Sequence, residues 1–182
     1  MPVYIAMLRG INVGGNKVVK MDALCKSLEA LGFEEVKTYL QSGNAVFKAT
    51  KQSPAELCKK IEKRILRDFG FGVTVISRST EEMGRMIEQN PFMRDKGVDT
   101  SKLHVTFLDS LPEPSAWKKM AAVSAGSDRF HPAGSDIYLH CPGGYGNTKL
   151  SNNAFERILA VRATTRNWNT VNNLYQMAAG DK

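Results

Sequence analysis

Apolar and polar residues in the first 90 positions follow two periods, one typical of strands and the other of helices. Apolar or alternating runs predict strands over residues 3–8, 35–40, 44–48 and 72–77. Apolar residues three or four positions apart predict helices over residues 21–31, 53–69 and 79–90, and capping boxes, Ser53 with Glu56 and Ser79 with Glu82, mark the starts of the last two. The order β-α-β-β-α-β predicts an α+β fold of the ferredoxin-like kind, an antiparallel four-stranded sheet with both helices on one face.

The second half partly repeats this order. Residues 91–102 lack a clear period and are the best linker, so we expect one domain over residues 1–90 and a smaller α+β part over 103–182. Strands are predicted over residues 103–108, 129–131 and 137–140, and helices over 112–122, from 151, and from a cap at 169 or 170. This gives β-α-β-β-α-α, with a helix in place of the last strand and no sequence identity between the halves.

Composition narrows the class of protein. The 182 residues are 42% hydrophobic, enough for a packed core. No apolar run approaches the ~20 residues of a membrane span, and no secretory signal opens the chain, which favours the cytoplasm. Three cysteines without paired spacing predict free thiols. The net charge of +7 favours anionic partners, including nucleic acid, although it could equally be a solvated basic surface.

The glycine-rich loop after the first strand, LRGINVGGNKVV, is the first candidate for chemistry. Its lysine is one position late for a phosphate-binding P-loop, and the dinucleotide fingerprint is absent, so no known cofactor is implied. Glycines could still let backbone N–H groups converge on an anion beside Arg9 and Lys17. The alternative is a connection in which glycine is needed only for geometry.

Three further segments carry polar side chains that suit an anion. The turn QSGN holds Ser42 and Asn44, although such residues are ordinary in hairpins. Lys149 precedes a helix start, where an anion would be preferred to a cation. The segment TTRNWNT combines an arginine, an amide and a stacking ring, or is simply a packed turn between helices.

These loops are expected to share one anion site. Its expected residues are Arg9, Gly10, Asn12, Gly14, Gly15, Lys17, Ser42, Asn44, Lys149, Arg166, Asn167, Trp168 and Thr170.

Catalytic and metal-binding patterns are missing from the sequence. The three histidines, at positions 104, 131 and 140, have no metal-ligand spacing, and no nucleophile elbow or carboxylate pair is visible. An RNA-recognition domain would need aromatic residues on the third strand, where SGNAVFKA has Asn44 and Val46 instead. Catalytic residues are therefore not assigned.

Four motifs in order, LRGINVGGNKVVKM, QSGNAVF, NTKLSNNAFER and ATTRNWNTV, resemble the bacterial family known as domain of unknown function 1697. The resemblance implies a cytoplasmic α+β protein with a ferredoxin-like first part joined to a second α+β part. It implies no activity.

The favoured hypothesis is a protein that binds an anionic or phosphorylated ligand: a nucleotide, a sugar phosphate or nucleic acid. The alternatives are an enzyme acting on a phosphorylated small molecule by positioning and charge stabilisation, and a scaffold that binds no ligand.

Overall fold

The computed structural model describes residues 1–180, which group into two compact units. One unit comprises Met1–Gly84 together with the segment from Asn173 onward, and the other comprises Arg85–Asn172. Each unit holds an antiparallel four-stranded sheet, so the expected mixed α+β architecture is confirmed.

The sheet of the first unit has β1 at an inner position. Its strands are β1 (Val3–Leu8), β2 (Glu34–Tyr39), β3 (Asn44–Lys48) and β4 (Val75–Ser79), and the helices are α1 (Met21–Glu29), α2 (Pro54–Phe69) and α3 (Thr80–Glu88), the last of which continues into the second unit. The strand order is β2-β3-β1-β4, and β1 pairs antiparallel with both β3 and β4.

The helices α1 and α2 cover one face of this sheet. Alternation along β1 places Tyr4, Ala6 and Leu8 on that face. The same buried cluster includes Leu24 and Leu28 of α1, and Leu57, Ile61 and Ile65 of α2. Both capping boxes expected from the sequence are present, Ser53 with Glu56 and Ser79 with Glu82.

The second unit repeats the arrangement. Its elements are β5 (Leu103–Leu108), α4 (Pro114–Ala121), β6 (Arg129–Ala133), β7 (Asp136–His140), α5 (Asn152–Leu159), β8 (Ala163–Asn167) and the start of α6 (Trp168–Ala179), with short 3-10 helices at Pro91–Arg94, Thr100–Lys102 and Tyr145–Asn147. The strand order is β6-β7-β5-β8, again with antiparallel neighbours.

The sequence prediction of a helix in place of the last strand is wrong, because residues 163–167 form β8. This strand is polar, and its hydroxyl groups are satisfied across the sheet: the Thr165 Oγ1 lies 2.7 Å from the Thr106 Oγ1 and donates to Asn152 Oδ1 at 2.6 Å. The predicted cap of α6, at residue 169 or 170, is also wrong, because the side chain of Asn167 accepts the first-turn N–H.

The two sheets have the same strand register. Ile5 pairs with Arg78, and Val105 pairs with Arg166, at the same step of the β1–β4 and β5–β8 ladders. The Leu8 N–H donates to Gly43 O at 2.8 Å, and the Leu108 N–H donates to Ser135 O at 2.8 Å. The architectural repeat therefore extends to strand register.

Three negative findings apply to residues 1–180. The cysteines Cys25, Cys58 and Cys141 are free thiols, as expected. No helix in this part of the chain is long and apolar enough to span a membrane. No three His, Cys, Asp or Glu side chains there lie close enough together to hold a metal ion.

Candidate ligand site

The glycine-rich loop between β1 and α1 forms a small hairpin. The Asn12 N–H donates to Lys17 O at 3.1 Å, and the Asn16 N–H donates to Val13 O at 3.0 Å. Gly14 and Gly15 lie between them with φ of 57° and 76°. Positive φ at both central residues is the signature of a type I′ hairpin turn, which accounts for this glycine pair by geometry alone.

Asn12 fixes this hairpin to the neighbouring turn. Its Nδ2 donates to Val19 O at 2.9 Å and to Gln41 O at 2.7 Å, while its Oδ1 accepts the Val19 N–H at 2.8 Å. The loop and the turn between β2 and β3 are therefore in contact, which the sequence left open. The buried Asn44 donates to Tyr39 O at 2.8 Å and to the Ser42 hydroxyl at 3.1 Å, so it holds its own turn together.

Lys17 and Arg9 of this loop both donate hydrogen bonds to backbone carbonyls of the segment before β4. Lys17 has a left-handed conformation, with φ of 46°, and its Nζ donates to Gly72 O at 2.8 Å. The half-buried Arg9 donates its backbone N–H to Thr74 O at 2.9 Å, and Gly10 beside it is exposed. Each of these contacts joins the loop to the segment that leads into β4.

Arg166 and Thr170, expected to contact a ligand, are buried. Arg166 is 9% exposed, and its Nη1 donates to Thr164 Oγ1 at 2.9 Å and to Thr165 O at 3.0 Å. Burial lowers the pKa of Arg166 to about 10, which leaves it charged at neutral pH. Thr170 is 4% exposed, whereas Lys149 is exposed just before the Ser151 cap of α5.

Asn167 and Trp168 lie in a cavity of the second unit with a volume of about 610 Å³. The cavity is located where β5 begins, β8 ends and α6 begins, and His104 and Asn167 are cross-strand neighbours. The residues that line it are Thr100, Ser101, His104, Asn167, Trp168, Asn169 and Asn172. Six of them offer hydroxyl, amide or imidazole groups and none is charged at neutral pH, apart from any proton on His104.

His104 is the titratable group of this cavity. Its ring stacks on Tyr145, with centroids 4.9 Å apart and planes at 25°. Burial lowers the pKa of His104, and the Lys102 carbonyl offsets part of that shift, so the neutral imidazole predominates at pH 7. Nδ1 is buried and makes no hydrogen bond with any atom of residues 1–180.

The start of α6 adds backbone donors to the cavity. Asn167 Oδ1 accepts the Thr170 N–H at 2.8 Å, and the remaining first-turn N–H groups have no acceptor within the helix. The first turn of α6 carries no acidic residue, whereas that of α3 carries Glu81 and Glu82. The positive end of the α6 dipole is therefore not neutralised by a carboxylate of its own turn.

Sequence reasoning found only two residues of this cavity, Asn167 and Trp168. It missed Thr100, Ser101, His104, Asn169 and Asn172. The run WNTVNN, which contains Asn169 and Asn172, was the available signal, because it begins with the predicted residue Trp168, directly after Asn167. The remaining residues come from the segment treated as a linker and from β5, which only the fold brings to α6.

A second cavity of the same unit, about 520 Å³, has its cation already paired. Arg129 lies 4.9 Å from the Phe92 ring centroid, and its Nη2 is 2.7 Å from Asp95 Oδ2 and 3.1 Å from His140 Nδ1. The cavity at α6 is therefore the better candidate for an external ligand.

Comparisons with known proteins fit this description. Residues 1–138 match the family model described as protein of unknown function (DUF1697), which confirms the resemblance expected from the sequence motifs. Among solved structures, the chain is similar to the conserved bacterial protein SP0830 from Streptococcus pneumoniae, with 26% identity, a TM-score of 0.79 and 99% of each chain covered. No curated protein matches the chain.

Proposed function

The chain belongs to the DUF1697 family of proteins of unknown function, and from this premise we propose that it binds a small phosphorylated ligand in the cavity at the start of α6. The ligand class is a sugar phosphate or a nucleotide. The loop at Arg9–Lys17 is not needed for this site, since its glycine pair forms the hairpin turn and Lys17 joins the loop to Gly72.

The observation that carries the proposal is the lining of the cavity. Its volume lies within the ~300–1,000 Å³ typical of small-molecule sites. Neutral amides and hydroxyls at that density suit a polyhydroxylated molecule, because each sugar hydroxyl both donates and accepts. Trp168 is 6% exposed and belongs to the core, so it adds only a small apolar part to this polar lining.

The electrostatics of α6 support an anionic group on that ligand. A helix N-terminus offers backbone N–H groups and a favourable dipole to phosphate. No carboxylate in the first turn of α6 competes for this position, and the net charge of +7 favours the approach of an anion.

The test is ligand binding by a protein with a carboxylate placed at the site. Asn169→Glu adds a negative charge to the first turn of α6, and Asn169→Gln keeps the amide. We expect ribose 5-phosphate or adenosine monophosphate, measured by calorimetry, to bind the wild type and the Gln variant, and to bind the Glu variant about tenfold more weakly or worse, the loss of a charge-assisted contact worth ~1.5–3 kcal/mol. Equal binding by both variants would contradict the proposal.

A second candidate function, an enzyme acting on the same class of ligand, is favoured by His104. A neutral imidazole in a cavity can accept a proton from a bound hydroxyl, which is the usual requirement of a general base. Turnover of a bound phosphate ester, followed by phosphorus NMR and lost in His104→Gln with binding retained, would distinguish the enzyme from the binding protein.

We also propose that both units are ferredoxin-like, as expected from the sequence for the first. The strand orders β2-β3-β1-β4 and β6-β7-β5-β8, with inner first strands, support this topology. An experimental structure with β1 at a sheet edge would contradict it.

A further inference from the structure

The ring nitrogens of His104 have different surroundings. Nδ1 is buried, whereas Nε2 is neither buried nor hydrogen-bonded among the residues that the structure describes, and the Lys102 carbonyl favours a proton on the ring. His104 also lines the cavity, so Nε2 is the nitrogen that a ligand can reach. A proton on Nδ1, directed toward the carbonyl, would leave the Nε2 lone pair free to accept.

We propose that Nε2 of His104 accepts a hydrogen bond from a hydroxyl group of the ligand, so that the site selects a sugar phosphate over simpler phosphate esters. This inference rests on the proposed function and deepens it. The amides and the Thr100 hydroxyl can donate, whereas the Ser101 hydroxyl gives its proton to Asp99 Oδ1. His104, when neutral and protonated on Nδ1, can only accept at its exposed atom.

Strand register brings His104 beside the start of α6. His104 and Asn167 are paired on adjacent strands, whose Cα atoms lie about 4.5–5.5 Å apart, and α6 begins at the next residue.

Few charges act on this imidazole. The groups that face it are Tyr145 in the stacked position, Asn167 on β8, and the 3-10 segment that holds Ser101 and Lys102. Asp99 precedes that segment, and its carboxylate accepts the Ser101 N–H at 3.0 Å and the Ser101 hydroxyl at 2.6 Å. The pKa of His104 is lowered by burial, with no ionic partner holding the charged form.

The first arm of the test compares ribose 5-phosphate with methyl phosphate, an ester that lacks a free hydroxyl. His104→Phe keeps an aromatic ring against Tyr145 and removes the acceptor, and His131→Phe on the exposed β6 is the matched control. We expect His104→Phe to weaken ribose 5-phosphate by about 2–13-fold, the loss of a hydrogen bond worth ~0.5–1.5 kcal/mol. Methyl phosphate binding and the His131→Phe control should not change.

The second arm is the ratio of the two affinities as pH is lowered from about 7.5 through the folded-state pKa of His104, which burial places below its ordinary value of 6.5. An imidazolium cannot accept, so the preference for ribose 5-phosphate should fall on acidification in the wild type and stay flat in His104→Phe.

Each other outcome overturns a different statement. If neither phosphate binds, the proposed function fails and this inference fails with it. If both bind and His104→Phe weakens neither, the function stands and the hydroxyl contact is wrong. If the preference for ribose 5-phosphate rises with acid, the imidazolium contacts phosphate and the inference is also wrong.

Discussion

Tyr4 and His104 occupy the same step of the two sheets, paired with Ser79 in the first and with Asn167 in the second, yet their surroundings differ. Tyr4 is 6% exposed and belongs to the core beneath α1 and α2, with its hydroxyl 3.4 Å from Gln52 O. His104 is half-buried and lines a cavity. The side chain at this position is packed in the core of the first unit and faces a cavity in the second.

The helices that follow the last strands differ in a related way. In α3, Ser79 and Glu82 cap one another reciprocally, with the Ser79 N–H 2.8 Å from Glu82 Oε2. In α6, Asn167 caps alone, and the residues equivalent to Glu81 and Glu82 are Asn169 and Thr170. The first unit thus satisfies this helix start with its own acids, whereas the first turn of α6 carries no acid.

The buried arginines show what the units keep in common. Arg78 donates from Nη1 to Ser77 O at 2.8 Å, and Arg166 donates from Nη1 to Thr165 O at 3.0 Å, in each case to the preceding residue. Both are less than 10% exposed. An arginine with the same register, burial and backbone contact indicates a shared structural role, and this explains why Arg166 is a poor candidate for ligand contact.

The largest expected effect comes from exchanging Gly43 for the serine found at the equivalent position 135. Gly43 has φ of 85°, and an added Cβ would lie 2.5 Å from Ile11 Cδ1. Gly43→Ser should lower the free energy of unfolding by about 2–4 kcal/mol, from overpacking and a left-handed side chain, as measured by urea denaturation. Ser135→Gly should cost about 1 kcal/mol or less. Equal costs for the two variants would contradict the prediction that only the turn at Gly43 requires glycine.

Tyr138, which replaces the Val46 of the first sheet, adds a buried hydroxyl that donates to Met86 O at 2.7 Å. Tyr138→Phe should cost about 1–3 kcal/mol because the carbonyl loses its partner. Burial and Asp136 raise the pKa of Tyr138 to about 12, so its contribution should be lost as pH rises from 10 toward 12 and be absent in the variant. Tyr175→Phe is the control, and a similar loss there would contradict the prediction.

The helix starts should respond to charge in opposite directions. Without ligand, Asn169→Glu gives α6 the acid that α3 has at Glu81, and should stabilise the protein by about 0.3–1 kcal/mol. Glu81→Gln should destabilise it by a similar amount. Thermal unfolding at low salt measures both, and high salt should shrink both differences. A destabilising Asn169→Glu would mean that the α6 start is already neutralised.

The smallest expected effect is a change in pH dependence. Burial lowers the pKa of His104 below its ordinary value of 6.5, so the stability contributed by the neutral ring is present above that pH and lost as pH falls through the folded-state value. His104→Tyr, which copies Tyr4, should flatten the decrease in melting temperature on acidification. The exposed His131→Gln should leave the slope unchanged; a flattened slope in that variant would assign the effect elsewhere.

Local rules in the sequence were sufficient for most elements of the fold. Period-two and period-four patterns located seven of the eight strands and both capping boxes, because side-chain alternation and cap chemistry depend on residues a few positions apart. The exception, β8, is a run of threonines whose burial depends on distant partners such as Thr106 and Asn152.

The amino-acid sequence by itself therefore determined the mixed α+β class, the capping boxes of α2 and α3 and the free thiols, and through four motifs the family. Only the tertiary structure decided which side chains meet. It buried Arg166, made Lys17 a backbone contact, and joined His104 to the start of α6. The physical reason is that strand register, which no single segment encodes, sets which residues share an end and a face of a sheet.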